Sequence, residues 1–354
     1  MQNIGIITIC DNTNYGNRLQ NYALSKTIFN LDIECVTLWI KKDLLKYRYK
    51  TLIKGFIGLI KPRYKKSFLL SFFTKKMIKI EYINEKNWYK KSKVIHKEYD
   101  YFIVGSDQIW NYAFGYAGDR EFLKFVEYDK TISYAPSFGV SKISNEYREK
   151  IKDGINHIKY LSVREDEGRE IIKELTGKDA QVVLDPTLLL NDKEWASIEK
   201  KPSFMKNKEY ILTYFLGEKS EELKVEIKKI ATENNLEIIN LNDEDDKKFL
   251  SCGVEQFIYL FNHSKLVITD SFHGSVFSII FKKPFFVFKR NSKNMMDMSS
   301  RINTLLKMLR QEKRSVNTLN NIDNIFECDY DESYKILEKK KNESIGFLKK
   351  ALNV

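Results

Sequence analysis

The 354-residue chain is 43% hydrophobic and 31% charged, with only 15 Gly and 5 Pro. That is the make-up of a soluble globular protein of about two domains, and it excludes low-complexity, collagen-like and linker-dominated readings. The net charge of +12 is concentrated: residues 41–80 hold thirteen Lys/Arg against one acid, Asp43, and the other 314 residues balance at 47 basic and 47 acidic.

The hydrophobic pattern alternates strand and helix from the start. Asn3–Cys10 reads as a strand and not as a signal peptide, because no basic segment precedes its apolar run. A polar loop, Asp11–Tyr15, leads into a helix over Asn17–Asn30, and Ile33–Trp39 reads as a second strand. After the basic stretch come strands at Tyr101–Val104 and Thr131–Ala135, a helix over Asn145–Lys159, a strand at Tyr160–Val163, a helix over Glu165–Thr176 and a strand at Gln181–Leu184. Asp185-Pro186 interrupts the pattern. It resumes with strands at Tyr210–Leu216, Leu236–Leu241, Lys265–Thr269 and Phe285–Phe288. Helices are predicted between and after them at Glu218–Asn234, Val254–His263, Ser275–Phe281, Arg301–Arg310 and Tyr330–Leu352. Such alternation predicts an α/β protein with two Rossmann-like, doubly wound parallel sheets facing one cleft, and a basic helical insert in the first domain. The expected domains are 1–187, with the insert at 41–80, and 188–329, followed by a C-terminal helix over 330–354. No stretch approaches the ~18 apolar residues of a spanning helix.

Cys10, Cys35, Cys252 and Cys328 form neither a C-x-x-C pair nor a metal-ligand spacing, so no disulfide framework and no metal site are expected, and a cytoplasmic location fits. The acidic run Asn242–Asp246 reads as a solvated loop. Neither G-x-G-x-x-G nor the P-loop pattern occurs, which disfavours nicotinamide and P-loop chemistry. In doubly wound sheets ligands sit outside the carboxyl ends of strands, so polar segments that follow strands are the candidates. Thr269-Asp270-Ser271-Phe272-His273-Gly274-Ser275 is the strongest. It puts an imidazole able to move protons near neutral pH beside a helix start that attracts anions. The competing reading is a satisfied core histidine beside a Ser271 or Asp270 cap. Three of the eleven arginines stand at similar junctions: Arg18, Arg164 and Arg301. Each offers a planar fork for carboxylate or phosphate, or else forms a structural ion pair, Arg164 with Glu165 or Asp166 for instance. In Gly105-Ser106-Asp107-Gln108-Ile109-Trp110-Asn111, the polar residues could hold sugar hydroxyls and Trp110 a sugar face. The alternative is a capped turn with Trp110 in the core.

Taken together, these segments resemble the polysaccharide pyruvyl transferase family. The matching stretches are Asn14-Tyr15-Gly16-Asn17-Arg18-Leu19-Gln20-Asn21-Tyr22-Ala23-Leu24, Val104–Asn111, Ser133-Tyr134-Ala135-Pro136-Ser137-Phe138-Gly139, Ser162-Val163-Arg164-Glu165, Val183-Leu184-Asp185-Pro186-Thr187-Leu188-Leu189 and Thr269–Gly274. The resemblance implies a GT-B-like fold whose C-terminal helix crosses back. It also implies transfer of pyruvate from phosphoenolpyruvate, as co-substrate and without a further cofactor, onto two hydroxyls of a sugar. His273 and Arg164 match the family's positions at phosphoenolpyruvate and are the expected catalytic pair. Ser271, Phe272, Gly274, Ser275 and Arg301 are expected on the donor. Asn14, Tyr15, Asn17, Arg18, Asp107, Gln108, Trp110 and Asn111 are expected on a saccharide acceptor. The chain departs from the R-L-H-G of better-described members, carrying Ser271-Phe272-His273-Gly274 instead; Arg301 or Arg18 is the candidate replacement for the missing cation.

The insert adds two predicted amphipathic helices. Leu45, Tyr49, Leu52, Phe56 and Ile60 repeat at helical spacing in the first, and after Pro62, Tyr64, Phe68, Phe72 and the Phe73/Met77 pair do so in the second. Lysines lie between them, which suits an anionic membrane surface and a lipid-linked acceptor; a hairpin packed on the first domain is the alternative. Two further classes compete with the pyruvyl transferase: a GT-B glycosyltransferase using a nucleotide sugar, and a non-catalytic binder of membrane or nucleic acid. The neutral remainder of the chain speaks against nucleic acid as a partner.

Overall fold

Strands that follow one another through helical crossovers build two separate parallel sheets. The computed structural model describes residues 2–42, 44–57, 62–242, 251–291, 300–320 and 322–354. Part of the acidic run (243–246) and Ile60 lie outside these. The chain divides into two compact units. The first comprises the residues up to Leu52, Ser71–Leu190 and Glu338–Val354; the second comprises Ile53–Leu70 and Asn191–Leu337.

The first unit opens with β1 (Asn3–Ile7), α1 (Tyr15–Phe29) and β2 (Glu34–Lys41). The basic stretch forms α2 (Leu44–Ile57) and α3 (Pro62–Met77), each beginning in one unit and ending in the other along the chain. Then come β3 (Ile80–Asn84), α4 (Glu85–Ile95), β4 (Tyr101–Asp107), β5 (Thr131–Pro136), α5 (Asn145–Asn156), β6 (Ser162–Val163), α6 (Asp166–Thr176) and β7 (Gln181–Val182). Five strands pair in parallel in the order β3-β2-β1-β4-β5, so β1 lies at the centre, as its buried Ile4, Ile6 and Ile7 require. The sequence pattern missed β3 and α4. β3 is an edge strand with one buried residue, and α4 buries only Ile95, so neither carries an apolar stripe.

β6 and β7 pair with each other, and β6 joins the main sheet through hydroxyls in place of one backbone rung. Ser162 N–H donates to Ser133 Oγ (2.9 Å), Ser162 Oγ donates to the Ser133 carbonyl (2.6 Å), and Ala135 N–H reaches Ser162 Oγ (3.2 Å). Direct backbone bonds flank the insertion, Tyr160 N–H to Thr131 (3.2 Å) and Arg164 N–H to Pro136 (3.2 Å). This stitching delivers Arg164 to the carboxyl edge of the sheet, beside β4 and β5. Isoleucine-rich faces of α5 and α6 pack beneath with Phe102, Trp110, Phe122 and Phe138.

In the second unit, α7 (Asp192–Ala196) precedes β8 (Tyr210–Tyr214), α8 (Glu221–Glu233), β9 (Glu237–Leu241), α9 (Val254–Asn262), β10 (Leu266–Thr269), α10 (Phe272–Ile280), β11 (Phe285–Val287), α11 (Ser300–Met308) and α12 (Asp331–Leu352). The sheet runs β11-β10-β8-β9, all parallel. The last part of α12, from Glu338 onward, belongs to the first unit, where Ser344 Oγ accepts from Leu184 N–H (3.0 Å). Among the described residues no helix is long and apolar enough to cross a membrane.

Candidate functional site

Each sheet gathers its candidate residues at its own carboxyl edge. In the second unit, β10 ends at Thr269 and α10 starts at Phe272, three residues earlier than the sequence pattern predicts. The reason is Ser271, which caps the helix by accepting the Gly274 N–H at 3.4 Å. His273 therefore lies in the first helical turn, where the dipole's positive end favours anions. Gly274 is dictated by space: a Cβ there would meet Thr269 Oγ1 at 2.3 Å. That hydroxyl cannot yield, because it donates to the Tyr214 carbonyl and accepts from Ser271 N–H.

Asp270 is not the cap. Its carboxylate accepts the Leu216 and Gly217 N–H groups, both at 2.7 Å, and pairs with Arg290 at 3.3 Å. It thus ties together the segments that follow β8, β10 and β11. His273 is buried, 6% exposed, with its ring 5.3 Å from the Phe272 ring. Arg301, also buried, lies over the same phenyl with its guanidinium carbon at 5.9 Å. An imidazole and a guanidinium thus share one aromatic neighbour at the head of α10. Of the two candidates for the missing cation of Ser271-Phe272-His273-Gly274, Arg301 is the one placed beside that turn within its unit. Ser275 is used by the helix itself, its Oγ donating to the Ser271 carbonyl at 3.2 Å.

In the first unit the structure corrects several expectations. The fork of Arg164 is engaged by acids of the fold itself. Its Nη1 binds Asp185 at 2.7 Å and its Nη2 binds Asp107 at 3.1 Å, with Glu165 at 3.9 Å, and the side chain is almost fully buried. Burial works against its charge, and Asp185, Asp107 and Glu165 more than offset that, so its pKa is raised. The hydrogen-bonded ion pairs run to partners 21 and 57 residues away, and the expected pair with the sequence neighbour Glu165 is present at the longer 3.9 Å. Ser106 Oγ adds a 3.3 Å contact to Asp185.

Trp110 is not a sugar platform. It is 0% exposed, stacks on Phe122 (5.3 Å), tilts against Phe138 (5.4 Å) and donates Nε1–H to the Glu121 carbonyl at 2.9 Å. Tyr15 is likewise sealed in the core. Asn111 is a turn cap, accepting Ala113 N–H and donating to Gln108 Oε1 (2.7 Å). Asp107, at φ +59°, holds Ser137 N–H on its carbonyl at 2.7 Å as well as Arg164 on its carboxylate. Gly105 in β4 is needed for close approach, since a Cβ there would come within 2.0 Å of the Tyr134 carbonyl.

The β1–α1 loop is organised by Asp11, which sequence reasoning passed over. Its carboxylate takes Thr13 N–H (2.8 Å), Asn14 N–H (3.0 Å) and the Asn17 amide. Asn14 in turn caps α1 through Gly16 N–H at 2.8 Å. The spacing D-x-T-N is itself the turn signal that could have flagged it. Arg18 is fully buried against Trp39, and Asn17 is buried beside it in sequence. Of the expected acceptor residues, Gln108 and Asn14 are the partly exposed ones. Among the described residues no group of three or more His, Cys, Asp or Glu could hold a metal ion.

Two parallel-sheet units whose polar segments follow strand ends define a GT-B-like α/β protein. Solved structures agree at the level of the fold: a putative UDP-N-acetylglucosamine 2-epimerase from Listeria monocytogenes is 11% identical, with a TM-score of 0.51, and the match covers 98% of this chain and 91% of that one. UGT89C1 of Arabidopsis thaliana (9% identity, TM-score 0.49, 98% of each chain) and MurG of Acinetobacter baumannii (7%, 0.45, 98% and 94%) are similar at lower scores. A search of curated proteins finds no match by sequence. The family model for polysaccharide pyruvyl transferases matches residues 14–292, so the chain belongs to the polysaccharide pyruvyl transferase family and is a transferase of that kind.

Proposed function

We propose that the chain transfers pyruvate from phosphoenolpyruvate to a saccharide as a ketal, releasing phosphate. One observation carries this reading: in a chain of this family, His273 and Arg301 meet across Phe272 at the start of α10. The donor carries a carboxylate and a phosphate. Arg301 and the amide end of α10 would offset that charge and stabilise the departing phosphate. His273 would deliver the proton that C3 of the enol accepts as a sugar hydroxyl adds to C2. The first hydroxyl's proton returns to His273, the C2–O bond to phosphate breaks, and a second hydroxyl closes the ketal, its proton leaving with the released phosphate. A positioned acid/base group contributes about 10²–10⁴-fold in rate. Arg164 is assigned to positioning: it holds Asp107 and Asp185 at the sheet edge of the first unit, on the proposed acceptor side.

His273→Gln tests the reading. Phosphate release from phosphoenolpyruvate, measured with a panel of free and lipid-linked sugars, should fall by about 10²–10⁴-fold with an unchanged thermal midpoint. Undiminished release would remove His273 from the chemistry. Thermal shift by a nucleotide-sugar panel, with none by phosphoenolpyruvate, would favour the glycosyltransferase alternative.

The acceptor is proposed to be a cell-envelope polysaccharide or its lipid-linked precursor, met at the cytoplasmic face of the plasma membrane. What supports this is the outward face of α2 and α3. Tyr49, Tyr64 and Phe72 (54% exposed) stand among lysines, while α3 buries Lys66, Leu70, Phe73 and Thr74. Exposed aromatics between lysines suit an anionic interface. Failure to bind anionic liposomes at low salt would end the membrane part of the proposal alone.

A further inference from the structure

Arg18 is the anomalous cation of the first unit. Its side chain is 0% exposed. Its Nη2 donates to the Ile9 carbonyl, and its guanidinium carbon sits 4.7 Å over the Trp39 ring. Nε and Nη1 have no hydrogen-bond partner, and among the described residues no carboxylate pairs with the group. Arg164, equally buried in the same unit, is met by two acids at hydrogen-bond distance. A guanidinium taken out of water without an anion is strongly unfavourable, so Arg18 is a cation in want of a counter-charge.

Two amides of the loop and helix start that carry Arg18 show the same condition with opposite polarity. Asn12 and Asn17 are buried, and the Oδ1 atom of each lacks a donor. Their amide nitrogens are engaged, Asn12 with Tyr47 Oη at 2.8 Å and Asn17 with the Asp11 carboxylate. Lys41 places a second ammonium 5.3 Å from the same Trp39 ring while donating to the Cys10 carbonyl at 2.7 Å. Tyr47 packs against Trp39 from α2, 6.1 Å between rings. All of this lies where β1 and β2 end, the edge at which doubly wound sheets bind ligands. Two unmatched donors on a cation and two unmatched acceptors on amides, all at one strand-end region, are complementary to an oxyanion carried next to hydroxyls.

We infer that this is a subsite for an acidic saccharide. A phosphate or carboxylate oxygen accepts from Arg18 Nε and Nη1, and hydroxyls donate to Asn12 and Asn17 Oδ1. The inference rests on reading the first unit as the acceptor side, and it narrows the acceptor from sugars in general to sugars bearing an oxyanion.

The test is calorimetric titration of the full chain, without phosphoenolpyruvate, with N-acetylglucosamine, N-acetylglucosamine 1-phosphate and glucuronic acid. At least one acidic sugar should bind about tenfold or more tightly than the neutral one, and which of the two does so separates phosphate from carboxylate. Arg18→Met should erase the preference while leaving the thermal midpoint unchanged or raised, since a buried unmatched charge has been removed. Arg18→Lys should retain part of it. Equal affinity for all three sugars, or a preference that survives in Arg18→Met, overturns the inference. The donor reading fails separately: a chain that prefers acidic sugars but releases no phosphate from phosphoenolpyruvate loses the pyruvyl chemistry and keeps this subsite.

Discussion

Replacing Arg164 by Met separates a structural cation from a ligand-binding one. The substitution keeps much of the side chain's bulk and removes the charge that Asp185 and Asp107 meet at 2.7 and 3.1 Å. Both carboxylates are buried, so each would remain desolvated without the Arg164 cation. Removing one partner from a buried ion pair typically costs about 3–5 kcal/mol. For a unit of roughly 150–250 residues, at about 2–4 °C per kcal/mol, the thermal midpoint of the first unit should drop by roughly 6–20 °C. The loss has a pH signature. Carboxylates deprived of their cation favour the protonated form, so their folded pKa rises above the unfolded value and the penalty is full only above that folded pKa. The gap between wild type and variant should therefore be wider at pH 8 than at pH 5. Arg164→Lys, which keeps a charge but not two arms, should fall between them. Calorimetry at the two pH values reads the stability, and phosphoenolpyruvate titration of the folded protein reads the donor. An unshifted midpoint together with a tenfold loss of donor affinity would show that the guanidinium serves the ligand and that the ion-pair account is wrong.

Trp110→Phe should lower the midpoint by the cost of stranding the Glu121 carbonyl, about 1–3 kcal/mol, without changing acceptor KM; a normal midpoint with a raised KM would restore the sugar-platform role. Gly274→Ala should destabilise the second unit by about 1–3 kcal/mol, because the new methyl meets Thr269 Oγ1, and Thr269→Ala in the same chain should recover part of the loss; denaturant unfolding of the single and double variants measures the coupling. Burial pushes the Cys35 thiol up to about 11, so at pH 8 about one thiol in a thousand is thiolate. Iodoacetamide labelling of Cys35 followed by peptide mapping should accordingly be slow at pH 8, quicken about tenfold per pH unit and jump on unfolding, and labelling at the rate of a free cysteine would contradict it.

What the chain made legible was local. Alternating apolar runs identified β1, β4, β5, β8 and β10, and the D-S-F-H-G turn identified itself by following a strand. Buried strands are continuous in sequence, and a cap acts on residues three positions away, so both signals fit inside a short window. The ion pairs of Arg164 do not. Asp107 and Asp185 come from different strand ends, and only the closing of the sheet, through the Ser133 and Ser162 hydroxyls, brings them to one guanidinium. Trp110 illustrates a second limit. An aromatic after a strand reads equally as platform or core, and the decision belongs to Phe122 and Phe138, contributed by later segments. β3 and α4 escaped because an edge strand and a solvated helix need bury only one face residue each.

The distribution of matched and unmatched charge then assigns labour among the arginines. All three were equivalent as motifs, each at a junction between strand and helix. Arg164's charge is met by acids that the fold itself supplies, so under the proposed function its contribution is order. Among the described residues no acid pairs with Arg18, so under the proposed subsite its anion arrives with the acceptor. Arg301 shares Phe272 with His273 and is the guanidinium next to the proton-transfer candidate. A donor with two anionic groups and an acceptor with at least one would repel each other in water at close range. Under the proposed reaction, separate cations would serve donor and acceptor, and Arg301 and Arg18 belong to different units.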